Sequence, residues 1–318
     1  MLLNAQGING LWMDGPPQLF LFGPGFSAQA LARRLGAQGW RACGTARSAE
    51  AAPTLAALGI TPVILADPEA VAEALVASAA VLIAAPPSEA GCPGLAALSP
   101  ALEAGARPGW IGYLSTTGVY GDRGGGWVTE ASDLAPVSVQ GARRMEAEQA
   151  WLDLGARRGL AVAVFRLPGL YGPGRSALDR VREGAANIVK PGQVFSRLHI
   201  DDLASALAAS IARPRAGGVY NICDDEQGPP QDVLAYAAAL LGLPAPPTLS
   251  LDDPSVGPAS RRFYAENKRV SNARAKAELG WRPAYPSYRE GLAAVMASEA
   301  PTGPIAATKR APRGRTSP

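Results

Sequence analysis

The sequence predicts an α/β fold, a doubly wound parallel sheet with a small C-terminal lobe. Three observations predict it. Short apolar runs alternate with helical patterns from residue 18 to residue 167. The runs are almost continuously apolar, as strands are when helices cover both faces. The chain has 318 residues and is 47% hydrophobic, enough for one large domain or a domain with a lobe.

Each element follows in order. QLFLFG (18–23) predicts a strand. FSAQALARRLGAQG (26–39) predicts a helix with Ala30, Leu31 and Leu35 on its inner side. Strands are expected at 40–46, 61–66, 79–87, 109–116 and 160–167, with helices at 68–78 and 138–157. Strand–helix alternation at this spacing gives parallel pairing. After residue 170 the pattern loosens. YGPGRSALDRVREG is a Gly/Pro loop leading into a helix. RLHIDDLASALAASIARP (197–214) predicts a helix capped by Asp201 or Asp202. GGVYNICDD (217–225) is a short strand, and helices near 230–242, 271–279 and 287–298 close the chain. The expected division is an extension over 1–17, a dinucleotide-binding unit over 18–170, and a remaining strand with a substrate lobe over 171–299, interleaved with the first unit. Residues 300–318 are expected to be a disordered basic tail.

The net charge is +3, and Lys309, Arg310, Arg313 and Arg315 put +4 of it in the tail. The body is therefore slightly acidic and shows no electrostatic footprint for nucleic acid. Cys43, Cys92 and Cys223 are scattered and form no CxxC, which excludes a disulfide framework and a structural zinc site. They suit a reducing cytoplasm. The first residues lack a charged n-region and make a poor signal peptide. Residues 1–12 read as a disordered extension or an over-long gene start, with Met13 just before the first strand. No apolar run reaches the length of a membrane span.

The first strand runs into Gly23-Pro24-Gly25-Phe26-Ser27-Ala28, a GxGxxA pattern that opens a helix. This is the context in which such a loop binds a dinucleotide. Gly23 allows the tight turn. Gly25 lets the backbone approach a pyrophosphate at the positive helix N-terminus, and Ala28 permits close helix–strand packing. The second strand ends in GTARS, with no acid for a ribose hydroxyl. Arg47 stands there instead, and a guanidinium can hold a 2′-phosphate bidentately. NADP is therefore expected over NAD. Ala85 and Pro86, after the fourth strand, give small residues where the cofactor passes.

Taken together, GPGFSA, LSTTGVYGD (114–122), FRLPGLYGPGR (165–175), RLHIDDLASAL (197–207), VYNICDD (219–225) and KRVSNARAKAELGW (268–281) resemble the extended short-chain dehydrogenase/reductase superfamily. The type is the NAD(P)-dependent epimerase/dehydratase family with its Rossmann fold, and the last stretch resembles the atypical, YeeZ-like branch. The resemblance implies a catalytic Ser/Thr at the end of the fifth strand, where Thr116 matches. It also implies a Tyr-x-x-x-Lys pair on the next helix. Pro136, Ser138 and Glu148 match the frame of that motif, which puts Gln140 at the tyrosine position and Arg144 at the lysine position. Pro168 and Gly169 match positions near the nicotinamide.

In the family the phenol exchanges a proton with the substrate oxygen, and the lysine lowers the phenol pKa and holds the ribose. Gln140 can hydrogen-bond a carbonyl but is no proton acid. Arg144 can hold ribose hydroxyls but is a poor proton relay. Tyr120 and Tyr171 are substitute phenols, both in loops where a structural role is expected. His199 reads as a structural or cap-adjacent histidine. Arg197 faces an anionic substrate or forms a salt bridge. Glu130 and Asp133 read as loop caps. Met145, Trp151 and Leu152 lie on a core face or on a homodimer face, since relatives often pair through this helix. Two readings follow. One is an oxidoreductase or epimerase-like enzyme acting on a small carbonyl or sugar-like substrate. The other is a non-catalytic NADP-binding sensor that kept the loop and lost the pair.

Overall fold

The computed structural model describes residues 15–299. The expected tail and the residues before Gly15 lie outside that range. Seven parallel strands form the central sheet: β1 (Gln18–Phe22), β2 (Arg41–Ala46), β3 (Ile60–Ile64), β4 (Ala80–Ile83), β5 (Trp110–Thr116), β7 (Val162–Leu167) and β11 (Gly218–Asn221). Their spatial order is β11-β7-β5-β4-β1-β2-β3. Three two-stranded pairs flank them: β6 (Trp127–Val128) with β13 (Arg269–Val270), β8 (Gly169–Tyr171) with β10 (Arg197–His199), and β9 (Asn187–Val189) with β12 (Thr248–Ser250).

The helices are α1 (Phe26–Gly36), α2 (Ala52–Ala56), α3 (Pro68–Val76), α4 (Pro93–Ala104), α5 (Val139–Arg158) and α6 (Ala177–Arg182). They continue as α7 (Ile200–Ala212), α8 (Pro230–Leu240), α9 (Pro258–Phe263), α10 (Ala273–Leu279) and α11 (Tyr288–Glu299). Along β1, Leu19 and Leu21 face one core and Phe20 and Phe22 the other, the two-residue period of a strand buried on both sides. The first core is closed by Leu31 of α1, Leu207 of α7 and Leu279 of α10. The second is closed by Leu75 of α3, Leu98 of α4 and Trp151 of α5. A third core, built from Leu178, Leu234, Tyr288 and Leu292, joins α6, α8 and α11 away from the sheet.

Several boundaries differ from expectation, two of them for a clear physical reason. The fourth strand stops at Ile83 rather than running to residue 87. Pro86 and Pro87 lack the N–H that a central ladder needs. The helix expected over 197–214 begins only at Ile200, because Arg197–His199 pairs with Gly169–Tyr171 as a short parallel strand. Its N-cap is His199, not Asp201 or Asp202: Nδ1 accepts from the Asp201 backbone N–H at 3.2 Å. Asp202 points elsewhere and accepts the backbone N–H groups of Ala284 and Tyr285 at 2.7 and 3.0 Å. Among the described residues no helix is long and apolar enough to cross a membrane.

Candidate active site

The strand order reverses between β1 and β4, and in sheets of this type ligands sit outside the strand C-termini at that point. Gly23 leaves β1 there at φ +80°, and its N–H donates to Thr45 Oγ1 of β2 at 3.0 Å. A Cβ on Gly23 would lie 2.8 Å from both Cβ and N of Ala85, so the turn closes against the second residue after β4 only because it is glycine. Gly25 is different. A Cβ there would meet nothing within 4 Å. Gly25 is the N-cap of α1, and no side chain caps its first N–H groups and no acid sits in its first turn. This is a backbone cradle open to an anion. Phe26 and Ser27 are half-buried at its rim, and Ala28 is fully buried against the sheet.

Arg47 follows β2 and is exposed beside this loop, two residues beyond the Thr45 that holds it. Pro86 is exposed next to the half-buried Ala85. The cradle therefore brings Gly23, Gly25, Phe26, Ser27, Ala28, Arg47, Ala85 and Pro86 to one edge of the sheet. Its chemistry fits the pyrophosphate of a dinucleotide.

Thr116 ends β5 on the same edge and is half-buried. Its Oγ1 accepts the Gly118 N–H at 3.1 Å, which starts a single 3₁₀ turn over Thr117–Tyr120. Register pairs Thr116 with Leu167, so Pro168, just past β7, lies beside it. Strand alternation sends Ser115 the other way. Its hydroxyl donates to Glu148 Oε1 inside the protein.

Ser138 caps α5 by accepting the Gly141 N–H at 3.1 Å. Gln140, in the first turn, is exposed. Arg144, one turn on, is turned inward: Nη1 donates to the Leu114 carbonyl, and the guanidinium lies 5.7 Å from the centre of the Tyr113 ring. Burial pushes the Tyr113 phenol well above its ordinary range, with Arg144 pulling against it.

The other candidates have structural surroundings. Tyr120 is fully buried; its hydroxyl donates to Asn221 Oδ1 at 2.8 Å and accepts from Arg166 at 3.0 Å. The Tyr171 hydroxyl is packed against Gly291 of α11, and burial drives its pKa up. His199 is 2% exposed and stacks edge-on against Tyr285 at 4.4 Å, and burial lowers its pKa, with Asp201 opposing. Arg197 forms no salt bridge among the described residues. It donates to the carbonyls of Phe195 and Gly228 at 2.9 and 3.0 Å. Gly169 is exposed. Glu130 is no local cap: Oε1 accepts the Asn221 N–H at 2.8 Å, across 91 positions of chain. Asp133 is exposed, and its carbonyl accepts from Arg123. Trp151 is core, while Met145 and Leu152 line a groove of about 580 Å³ along α5.

Sequence reasoning missed Arg166, which carries the buried network under the site. The available signal was a lone arginine inside the apolar run LAVAVFRL.

Residues 95–223 match the model of the NAD dependent epimerase/dehydratase family. The chain is 29% identical to protein YeeZ of Escherichia coli (strain K12) over 279 residues, 84% of this chain and 95% of YeeZ. It is 36% identical over 142 residues to a 3-diazoavenalumate denitrifying reductase of a Streptomyces species. That match spans 42% of this chain and under half, 46%, of the reductase. Among solved structures, a functionally unknown conserved protein from Silicibacter pomeroyi superposes with a TM-score of 0.82 at 46% identity. That superposition covers 89% of this chain and 99% of the other.

Proposed function

We propose, for a chain that belongs to the NAD-dependent epimerase/dehydratase family, that it is an NADP-dependent oxidoreductase or epimerase-like enzyme acting on a small carbonyl or sugar-like substrate. The observation that carries this is the convergence of an open Gly25 cradle and the Thr116 hydroxyl along one edge of the sheet, at the ends of β1 and β5. Bound there, the dinucleotide supplies or accepts a hydride. Thr116 donates a hydrogen bond to the substrate oxygen. Gln140 orients the substrate from the rim. Arg144 stiffens the end of β5 through Leu114 and offers its remaining N–H groups to ribose hydroxyls. Arg47 favours NADP by pairing with the 2′-phosphate. Orientation alone carries much of such a barrier.

A second reading is favoured by one feature. Gln140 and Arg144 supply no proton acid, so the protein could bind NADP as a sensor without turnover. The two part on steady oxidation of NADPH with a panel of small carbonyl compounds, against tight binding with none. A reducing cytoplasm suits either, since all three cysteines are free and buried. The groove beside Met145 and Leu152 supports a homodimer through α5, which sedimentation would report.

A further inference from the structure

The oxidoreductase reading leaves a proton unaccounted for, and the segment Tyr264–Val270 brings a group that could move it. A Cβ placed on Gly118 would lie 3.4 Å from Thr116 Oγ1 and 3.9 Å from Glu266 Oε2. The two oxygens therefore flank one small volume left open by the missing side chain at Gly118. Glu266 is held from behind by Lys268, whose Nζ donates to Glu266 Oε2 at 2.5 Å and to the Gly121 carbonyl at 2.7 Å. Lys268 is buried, while the Glu266 side chain keeps 18% of its surface open.

The segment is fixed on both sides. Gln193 Nε2 donates to the Glu266 carbonyl at 2.7 Å, and Lys190 Nζ to the Tyr264 carbonyl at 2.8 Å. The Asn267 N–H donates to Asp122 Oδ1 at 2.7 Å, and Arg269 and Val270 pair with Trp127 and Val128. A carboxylate held this way is preorganised rather than tethered on a mobile loop.

We propose that Glu266 is the catalytic acid–base that faces Thr116, in place of the phenol that α5 lacks, with Lys268 as its positioning residue. This rests on the oxidoreductase reading. In the reducing direction the carbonyl carbon gains a hydride from the nicotinamide dinucleotide, and its oxygen gains a proton from the Glu266 carboxyl. The O–H bond at Glu266 breaks as the product O–H forms. Glu266, whose side chain keeps 18% of its surface open, recovers its proton from solvent, while Lys268 holds it in place. The oxidising direction is the reverse.

The test compares wild type with Glu266→Gln, Glu266→Asp and Lys268→Met. NADPH affinity is measured by fluorescence titration, and NADPH oxidation is followed with 4-nitrobenzaldehyde and cyclohexanone across acid to alkaline pH in H2O and D2O. Glu266→Gln is expected to bind NADPH as wild type does, to lose roughly 10²-fold in kcat, and to lose the pH dependence and solvent isotope effect. Glu266→Asp should keep the pH profile at reduced kcat, and Lys268→Met should shift that profile. A Glu266→Gln protein with wild-type kcat and an unchanged pH profile overturns the proposal while leaving the oxidoreductase reading intact. Loss of kcat with the pH profile preserved in every variant also overturns it, since a merely structural strap does that. Wild-type protein that binds NADPH and reduces neither probe removes the oxidoreductase reading, and the proposal with it.

Discussion

Arg166 and Glu148 form a buried ion pair beneath the candidate site: Nη2 and Nε donate to Oε2 at 2.8 and 3.1 Å, and both side chains are under 7% exposed. Hydrogen bonds from Ser115 to Glu148 and from Arg166 to Tyr120 tie the pair to the end of β5 and to the turn after it. Removing one partner strands a buried charge. Glu148→Leu should therefore cost about 3–5 kcal/mol of unfolding free energy. Replacing both by apolar residues of similar volume should recover most of that loss. Urea denaturation of the three proteins measures both.

Gly23 and Gly25 separate folding from binding. Alanine at Gly23 must distort a turn at φ +80° and push on Ala85, so it should lose about 1–3 kcal/mol of stability together with cofactor affinity. Alanine at Gly25 meets nothing in the protein and sits at an ordinary φ of −84°. It should leave stability within about 0.5 kcal/mol. It should still weaken dinucleotide binding severely, because its methyl fills the cradle. Melting curves and NADPH titrations on the same samples check the pair.

Asp224 should make stability fall with rising pH. It is 1% exposed and neither carboxyl oxygen has a hydrogen-bond partner. Burial pushes its pKa from 3.8 to about 8, with Arg197 opposing and Asp225 and Glu226 adding to the rise. Between those values the folded protein holds a proton that the unfolded chain releases. The contribution is complete below about pH 4 and is lost as pH climbs through about 8. Asp224→Asn should flatten this slope and stabilise the protein at pH 8 relative to wild type. A residual slope between about 4 and 6 should remain from Asp202. Wild-type unfolding midpoints that rise toward pH 8 would contradict this.

Restoring the family pair tests the frame assigned to α5. Gln140 is exposed and open to a larger side chain, and Arg144 reaches the end of β5. Gln140→Tyr with Arg144→Lys should keep NADPH binding and raise carbonyl reduction by about 10-fold or more. A folded, cofactor-binding double variant with no gain would mean that α5 does not present these positions to the substrate.

The sheet was legible because both its faces are buried, so its strands are written as apolar runs that stand out from the helices. The Gly23–Ala28 turn was legible for a local reason, since it needs glycine at Gly23 and the motif is contiguous. The strand β10 was hidden because Arg197–His199 is only three residues long and runs straight into α7. The contact of Glu130 with Asn221 and the approach of Glu266 to Gly118 join segments far apart in the chain. No periodicity records such pairings; only the folded topology brings them together.

The most direct test of the account is calorimetric titration of the protein with NADPH and with NADH, for wild type and Arg47→Ala. NADPH should bind the wild type more tightly than NADH. Losing a charge-assisted pair worth about 1.5–3 kcal/mol, Arg47→Ala should bind NADPH roughly ten- to a hundredfold more weakly with NADH little changed. Equal losses for both cofactors would remove Arg47 from the phosphate site. No binding of either by the wild type would contradict the reading of the Gly23–Ala28 loop, and both the enzyme and the sensor would fall with it.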